Sequence, residues 1–162
     1  MDSIDPNVGL GTLVNHASEG HNANHAHVTP IYQTSTFSFP DVATGASIFK
    51  GETPGYVYTR IGNPNLEQLA AKYAVLEGLD LLRAQPNAKP CEVVDGLVFS
   101  TGMAAISAAV LGRVRSGQTI IAQEAIYGAT FVLLNNLAPR FGIKVVFLKD
   151  ISPAAWKNAF DE

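Results

Sequence analysis

The sequence predicts an α/β domain, a mostly parallel sheet with flanking helices, preceded by a long extended arm. Three observations lead there. Short apolar runs at residues 96–99, 118–122 and 143–148 alternate with stretches of helical periodicity. A strand buried on both faces reads as such a run, and strand–helix alternation implies crossover connections and parallel pairing. Residues 1–62 instead carry Pro, Gly and Asn with little periodicity, until Asn63-Pro64 marks an abrupt start of regular structure.

Taken in order, residues 1–28 are polar, contain four histidines and read as an extended arm rather than a packed element. Residues 29–62 read as irregular chain, with one short helix around 42–49. So long a structureless stretch suits an arm that wraps a neighbour. The division expected is therefore an arm over 1–62 that contacts a neighbouring subunit and an α/β domain over 63–162. Asn63 is a good N-cap, Pro64 suits the first helical position, and Glu67 favours the positive helix end. Leu66, Leu69, Ala70, Tyr73 and Leu76 then recur at helical spacing, and Gly78 offers a stop. Residues 83–95 read as a loop. After the strand at 96–99, a helix over 102–115 ends at Gly117. The strand at 118–122 leads to a helix over 129–138, stopped by Pro139 and Gly142. The strand at 143–148 follows, and Ser152-Pro153 opens a last helix. The pattern stops in mid-course, as in a piece of something longer.

Charged residues make up 15% of the chain, against roughly 25% in an ordinary soluble domain. That shortfall favours a surface partly covered by other protein over a merely neutral small domain. The net charge of −3 and the absence of a basic block argue against nucleic acid, and no apolar run is long enough to span a bilayer. One cysteine, Cys91, excludes an internal disulfide and points to the cytoplasm.

Ser100-Thr101-Gly102-Met103 stands between an expected strand and an alanine-rich helix. Ligands of open α/β sheets bind at such carboxyl ends. The first N–H groups of the helix lack internal partners, its dipole lies behind them, and Gly102 leaves a close approach open. This suits a phosphate dianion, although a ligand-free capped turn reads the same way. Tyr58 and Arg60, two apart in extended chain, would point to one side and offer a hydroxyl and a bidentate guanidinium. The same pattern fits an exposed arginine beside a packing tyrosine. Tyr127 follows the second strand, either as an aromatic face for a flat ligand or as a core tyrosine. Tyr56 reads as packing and Glu124 as a solvated loop carboxylate. His16, His21, His25 and His27 are too loosely spaced for a metal site, and none is expected. Gly9-Leu10-Gly11 lacks the strand and third glycine of a dinucleotide fingerprint.

Four motifs stand in one order: Thr29-Pro30-Ile31-Tyr32-Gln33-Thr34-Ser35-Thr36-Phe37, then the Y-x-R-x-x-N-P core from Tyr58 to Pro64, the S-x-G-M turn from Ser100 to Met103, and Tyr127-Gly128-Ala129-Thr130-Phe131. From about Thr12 onward the chain resembles the N-terminal half of the large domain in the Cys/Met-metabolism (trans-sulfuration) enzymes that use pyridoxal 5′-phosphate. That family includes cystathionine γ-synthase, cystathionine γ-lyase, methionine γ-lyase and O-acetylhomoserine sulfhydrylase. The resemblance implies the first part of a fold-type I large domain. It also implies γ-elimination or γ-replacement on a sulfur amino acid or activated homoserine, by a lyase or transferase. Tyr58, Arg60, Gly102 and Met103 would hold the cofactor phosphate. Tyr127 would stack on the pyridine ring and serve proton transfer, with Tyr58 the second candidate catalytic residue. The arm would reach the active site of an adjacent subunit in a homotetramer built as a dimer of dimers. Relative to the family, residues 83–95 look like an insertion. Ala129 stands where methionine γ-lyases carry cysteine, while 55–64 and 131–145 look most like the γ-lyases, so the branch stays open.

None of Lys50, Lys72, Lys89, Lys144, Lys149 and Lys157 stands in the context of the family's cofactor-anchoring lysine. The acid for the ring nitrogen and the arginine for the substrate carboxylate are also missing from the matched region. The 162-residue chain alone is expected to be inactive. Two other readings remain open: a non-catalytic fragment or assembly module of such an enzyme, and a generic phosphate- or nucleotide-binding α/β domain.

Overall fold

A computed structural model describes residues 5–19 and 25–161. They form two compact units that meet in sequence at Val98 and Phe99.

The first unit holds five helices among the described residues: α1 (Leu10–His16), α2 (Val42–Phe49), α3 (Pro64–Glu77), α4 (Leu79–Ala84) and α5 (Pro90–Val93). Asp41 caps α2, its carboxylate accepting the Thr44 N–H at 2.7 Å, and the helix runs over the residues expected. Asn63 caps α3 by accepting the Asn65 N–H at 2.9 Å, with Pro64 in the first turn. Gly78 ends α3 but does not end helical structure, because α4 starts at the next residue. The expected loop at 83–95 likewise contains the end of α4 and all of α5.

The beginning of the arm departs from its expected extended form. Helix α1 buries Leu13, and Ala17 follows it into a core shared with Val75 of α3 and Leu82 of α4. The signal is easily missed, because a seven-residue helix with one buried side chain has little periodicity of its own. Two long cations fasten it. Lys72 Nζ donates to the Asn15 carbonyl at 3.0 Å, a favourable partner for a helix C-terminus, and Arg83 Nε donates to the Pro6 carbonyl at 3.1 Å.

Further along, the arm is irregular but pinned. The Asn65 side chain accepts the Tyr32 N–H at 2.8 Å and donates to the Pro30 carbonyl at 2.8 Å. Asn63 Nδ2 donates to the Tyr32 carbonyl at 3.0 Å, and Asn63 is only 4% exposed. A single antiparallel bridge joins Thr36 to Tyr58.

Residues 96–99 form no strand. They have no ladder partner among the described residues, and Leu97 is 81% exposed. An apolar run needs neighbouring strands before it can enter a sheet. Here Gly96 lies instead against α3, where an added Cβ would come within 2.7 Å of the Ala70 carbonyl.

The second unit contains the expected crossover. Strands β1 (Thr119–Gln123) and β2 (Lys144–Leu148) pair in parallel, with Thr119 opposite Lys144 and Gln123 opposite Leu148. Helix α6 (Gly102–Arg113) precedes β1 and helix α8 (Pro153–Asp161) follows β2. The connection begins as helix α7 (Gly128–Val132), widens to a π-helical turn at Leu133–Leu137 and tightens to a 3₁₀ turn at Ala138–Phe141. Leu133, Leu134, Ala138 and Ile143 are buried, and Phe131 packs on Phe147 of β2 at 4.7 Å between ring centroids. Gly142 closes the crossover in a left-handed conformation, φ +71°.

Candidate functional site

In the first unit the Tyr58 carbonyl accepts the N–H groups of Ile61 and Gly62, at 2.8 and 3.1 Å. Residues 58–62 are thus a turn rather than the extended chain expected from the sequence. The turn still brings the two side chains together, because the Arg60 guanidinium lies 4.9 Å from the centre of the Tyr58 ring. A cation over an aromatic face is held without being neutralised. Arg60 is exposed and has no carboxylate partner among the described residues. Thr59 anchors the turn to the arm. Its N–H donates to the Ser35 carbonyl at 2.9 Å and its hydroxyl donates to the Thr34 carbonyl.

Tyr56 packs on Phe37, with ring centroids 5.3 Å apart, and its hydroxyl donates to Glu67 Oε2 at 2.7 Å. Burial and then the Glu67 hydrogen bond push its phenol well above the ordinary tyrosine range. It therefore stays a neutral donor.

In the second unit Thr101 caps α6, its hydroxyl accepting the Ala104 N–H at 3.1 Å. The N–H groups of Gly102 and Met103 in that first turn have no backbone partner among the described residues. A Cβ added at Gly102 would meet no atom within 4 Å, so the helix start is open to an approaching group. Met103 Sδ accepts the Thr130 hydroxyl of α7 at 3.9 Å, which ties the start of α6 to the helix that begins just after Tyr127. Tyr127 is 69% exposed, so the core alternative for this residue does not hold. Gly102, Met103 and Tyr127 thus share one unit and one pair of contacting helices, while Tyr58 and Arg60 belong to the other unit. Glu124 is exposed.

No group of His, Cys, Asp and Glu able to hold a metal occurs among the described residues, and His21 lies outside them. His16 instead pairs with Glu19 at 2.9 Å, and that contact holds the Glu19 carboxyl below the usual carboxylate range.

The model of Cys/Met-metabolism PLP-dependent enzymes matches residues 11–162. The chain belongs to this pyridoxal-phosphate-dependent family. It is 36% identical to an L-methionine gamma-lyase from Fusobacterium nucleatum over 151 residues, 93% of this chain and 35% of that protein. It is 32% identical to a homocysteine/cysteine synthase from Saccharomyces cerevisiae over 143 residues, 88% of this chain and 29% of that protein. The chain therefore spans about a third of the length of the curated relatives it matches. A crystal structure of an O-acetylhomoserine (thiol)-lyase from Campylobacter jejuni superposes with a TM-score of 0.76 over 94% of this chain and 34% of that one, at 24% identity. This likeness supports the fold.

The residues present fit the family's cofactor. Unpartnered helix N–H groups over open space, an unneutralised guanidinium and an exposed aromatic face are the donors and the surface that a phosphorylated pyridine needs. Asn63, Asn65 and Thr130 were not singled out for these contacts by the sequence. The partners of the two asparagines lie more than thirty positions away and that of Thr130 lies 27 away, beyond any local pattern.

Proposed function

We propose that this chain supplies the phosphate cradle and ring-stacking tyrosine of an enzyme that performs γ-elimination or γ-replacement on a sulfur amino acid or an activated homoserine. The observation that carries the reading is the open first turn of α6 at Gly102 and Met103. Their N–H groups would bind phosphate oxygens with the helix dipole behind them. Arg60 and Tyr58 of the arm would add charge-assisted bonds to the phosphate held by an adjacent subunit. Tyr127 would face the ring, orient it and exclude water from one side. Its phenol, close to the bound cation, would hold and pass on a proton. When bound, pyridoxal phosphate supplies an electron sink for the negative charge that develops beside the amino group.

The arm over 1–62 would contact a neighbouring subunit, with active sites shared across a dimer of dimers in the cytoplasm. Exposed Ile31, Val28 and Ile61 support that contact, and the apolar helix α6, none of whose residues is fully buried, offers a further surface for other protein. An exposed single Cys91 suits a reducing compartment.

A second reading, a non-catalytic assembly module, is favoured by the lysines. Lys72, for example, is engaged with the Asn15 carbonyl. Calorimetric titration with inorganic phosphate and pyridoxal phosphate tests the cradle. Arg60→Ala is expected to weaken both by about tenfold to a hundredfold, the loss of hydrogen bonds to a charged group. Unchanged affinity overturns the proposal. Turnover of a γ-thioether or γ-ester amino acid by the protein that carries this chain separates the enzyme from the module.

A further inference from the structure

The Arg60 turn is closed at its base by one hydrogen bond. Tyr56 precedes the turn and Glu67 lies in the first turn of α3, so the 2.7 Å bond between them spans eleven positions and encloses Tyr58, Thr59 and Arg60. The space inside is shaped to fit it. A Cβ at Gly62 would come within 3.0 Å of Glu67 Oε1 and 3.5 Å of the Tyr56 ring. Phe37 packs against the Tyr56 ring, with centroids 5.3 Å apart. At the far end of the turn Asn63 Nδ2 donates to Thr59 Oγ1 at 3.2 Å. The backbone that carries Arg60 is therefore held from both sides, whereas the guanidinium lies over the Tyr58 ring and has no carboxylate partner among the described residues.

We propose that Tyr56 is a positioning residue for the phosphate site: its hydrogen bond to Glu67 fixes the turn that aims Arg60. This rests on the cradle reading above. A bidentate guanidinium requires a fixed plane, and a long side chain on a loose turn loses affinity to disorder before it binds. Tyr56 binds no ligand itself. It acts through the backbone of residues 57–61, and Glu67 acts as its anchor on α3.

The test is a double-mutant cycle with inorganic phosphate and pyridoxal phosphate as probes, with circular dichroism to verify the fold of each variant. Tyr56→Phe removes only the hydroxyl. It is expected to raise both dissociation constants about threefold to tenfold, the loss of one hydrogen bond. In an Arg60→Ala background the same substitution is expected to have a clearly smaller effect, because no guanidinium is left to aim and only the Tyr58 hydroxyl remains on the turn. Glu67→Gln keeps an oxygen acceptor for the phenol and is expected to lose less than Tyr56→Phe. An undiminished effect of Tyr56→Phe in the Arg60→Ala background would expose a general structural role and overturn the proposal. So would full affinity in Tyr56→Phe alone. If Arg60→Ala by itself leaves affinity intact, the cradle reading fails as well, and the two failures are told apart.

Discussion

Replacing Leu13 by alanine tests whether the start of the arm is a working part of the first unit. Leu13 is 2% exposed and is one of the two largest fully buried side chains among the described residues, the other being Val75. The substitution removes three carbons. At about 0.8 kcal/mol for each buried carbon, the transfer loss is about 2.4 kcal/mol. A cavity adds to this where the walls cannot close, and Val75 sits in the fourteen-residue α3, with Leu82 of α4 beside it in the same core. The expected loss is therefore about 2.5–4 kcal/mol. Leu10 in the same helix is 60% exposed, and Leu10→Ala should stay within about 0.5 kcal/mol of the parent. Urea unfolding followed by far-UV circular dichroism gives both values, read as midpoint shifts at constant slope. Equal, small effects at the two positions would refute the packing of α1 and return residues 5–19 to a free arm.

Three further outcomes follow from the same physics. Gly102→Ala adds a methyl into open space, so thermal stability should hold within about 0.5 kcal/mol, while pyridoxal phosphate affinity falls about tenfold or more as N–H contacts are displaced. A stability loss instead would mean that the helix start is packed. Asn65→Ala leaves the Tyr32 N–H and the Pro30 carbonyl without their partner and should cost about 1–3 kcal/mol, with faster proteolysis within residues 25–40. The raised phenol of Tyr56 makes its contribution complete below the ordinary value of 10.0 and progressively lost as pH rises above it. An alkaline unfolding series should show a drop that Tyr56→Phe lacks.

What could be read from the sequence was what local chemistry decides. Asn63-Pro64 announces α3 because capping involves residues two or three apart, the same local chemistry by which Asp41 proves to cap α2. The crossover could be read because Ile120, Ile121, Val145 and Val146 form apolar runs on either side of a helical stretch. The capped, open start of α6 could be read from Thr101-Gly102 ahead of an alanine-rich stretch, although the strand expected before it does not form. Features that depend on distant partners stayed hidden. Leu13 gains meaning only from Val75 and Leu82, and Asn65 only from Pro30 and Tyr32. Residues 96–99 misled because an apolar run looks the same whether it pairs in a sheet or lies along a helix. The widening at Leu133–Leu137 has no sequence signature, since the same Leu and Asn residues suit an ordinary α-helix.

The β1–β2 ribbon carries a practical consequence. Two parallel strands present one shared seam and two outer margins, and among the described residues neither margin is paired. Each margin offers a row of backbone groups to any passing extended chain. During synthesis this region would call for chaperone shielding until something caps it. Charged or proline substitutions along a margin would trade correct assembly for solubility.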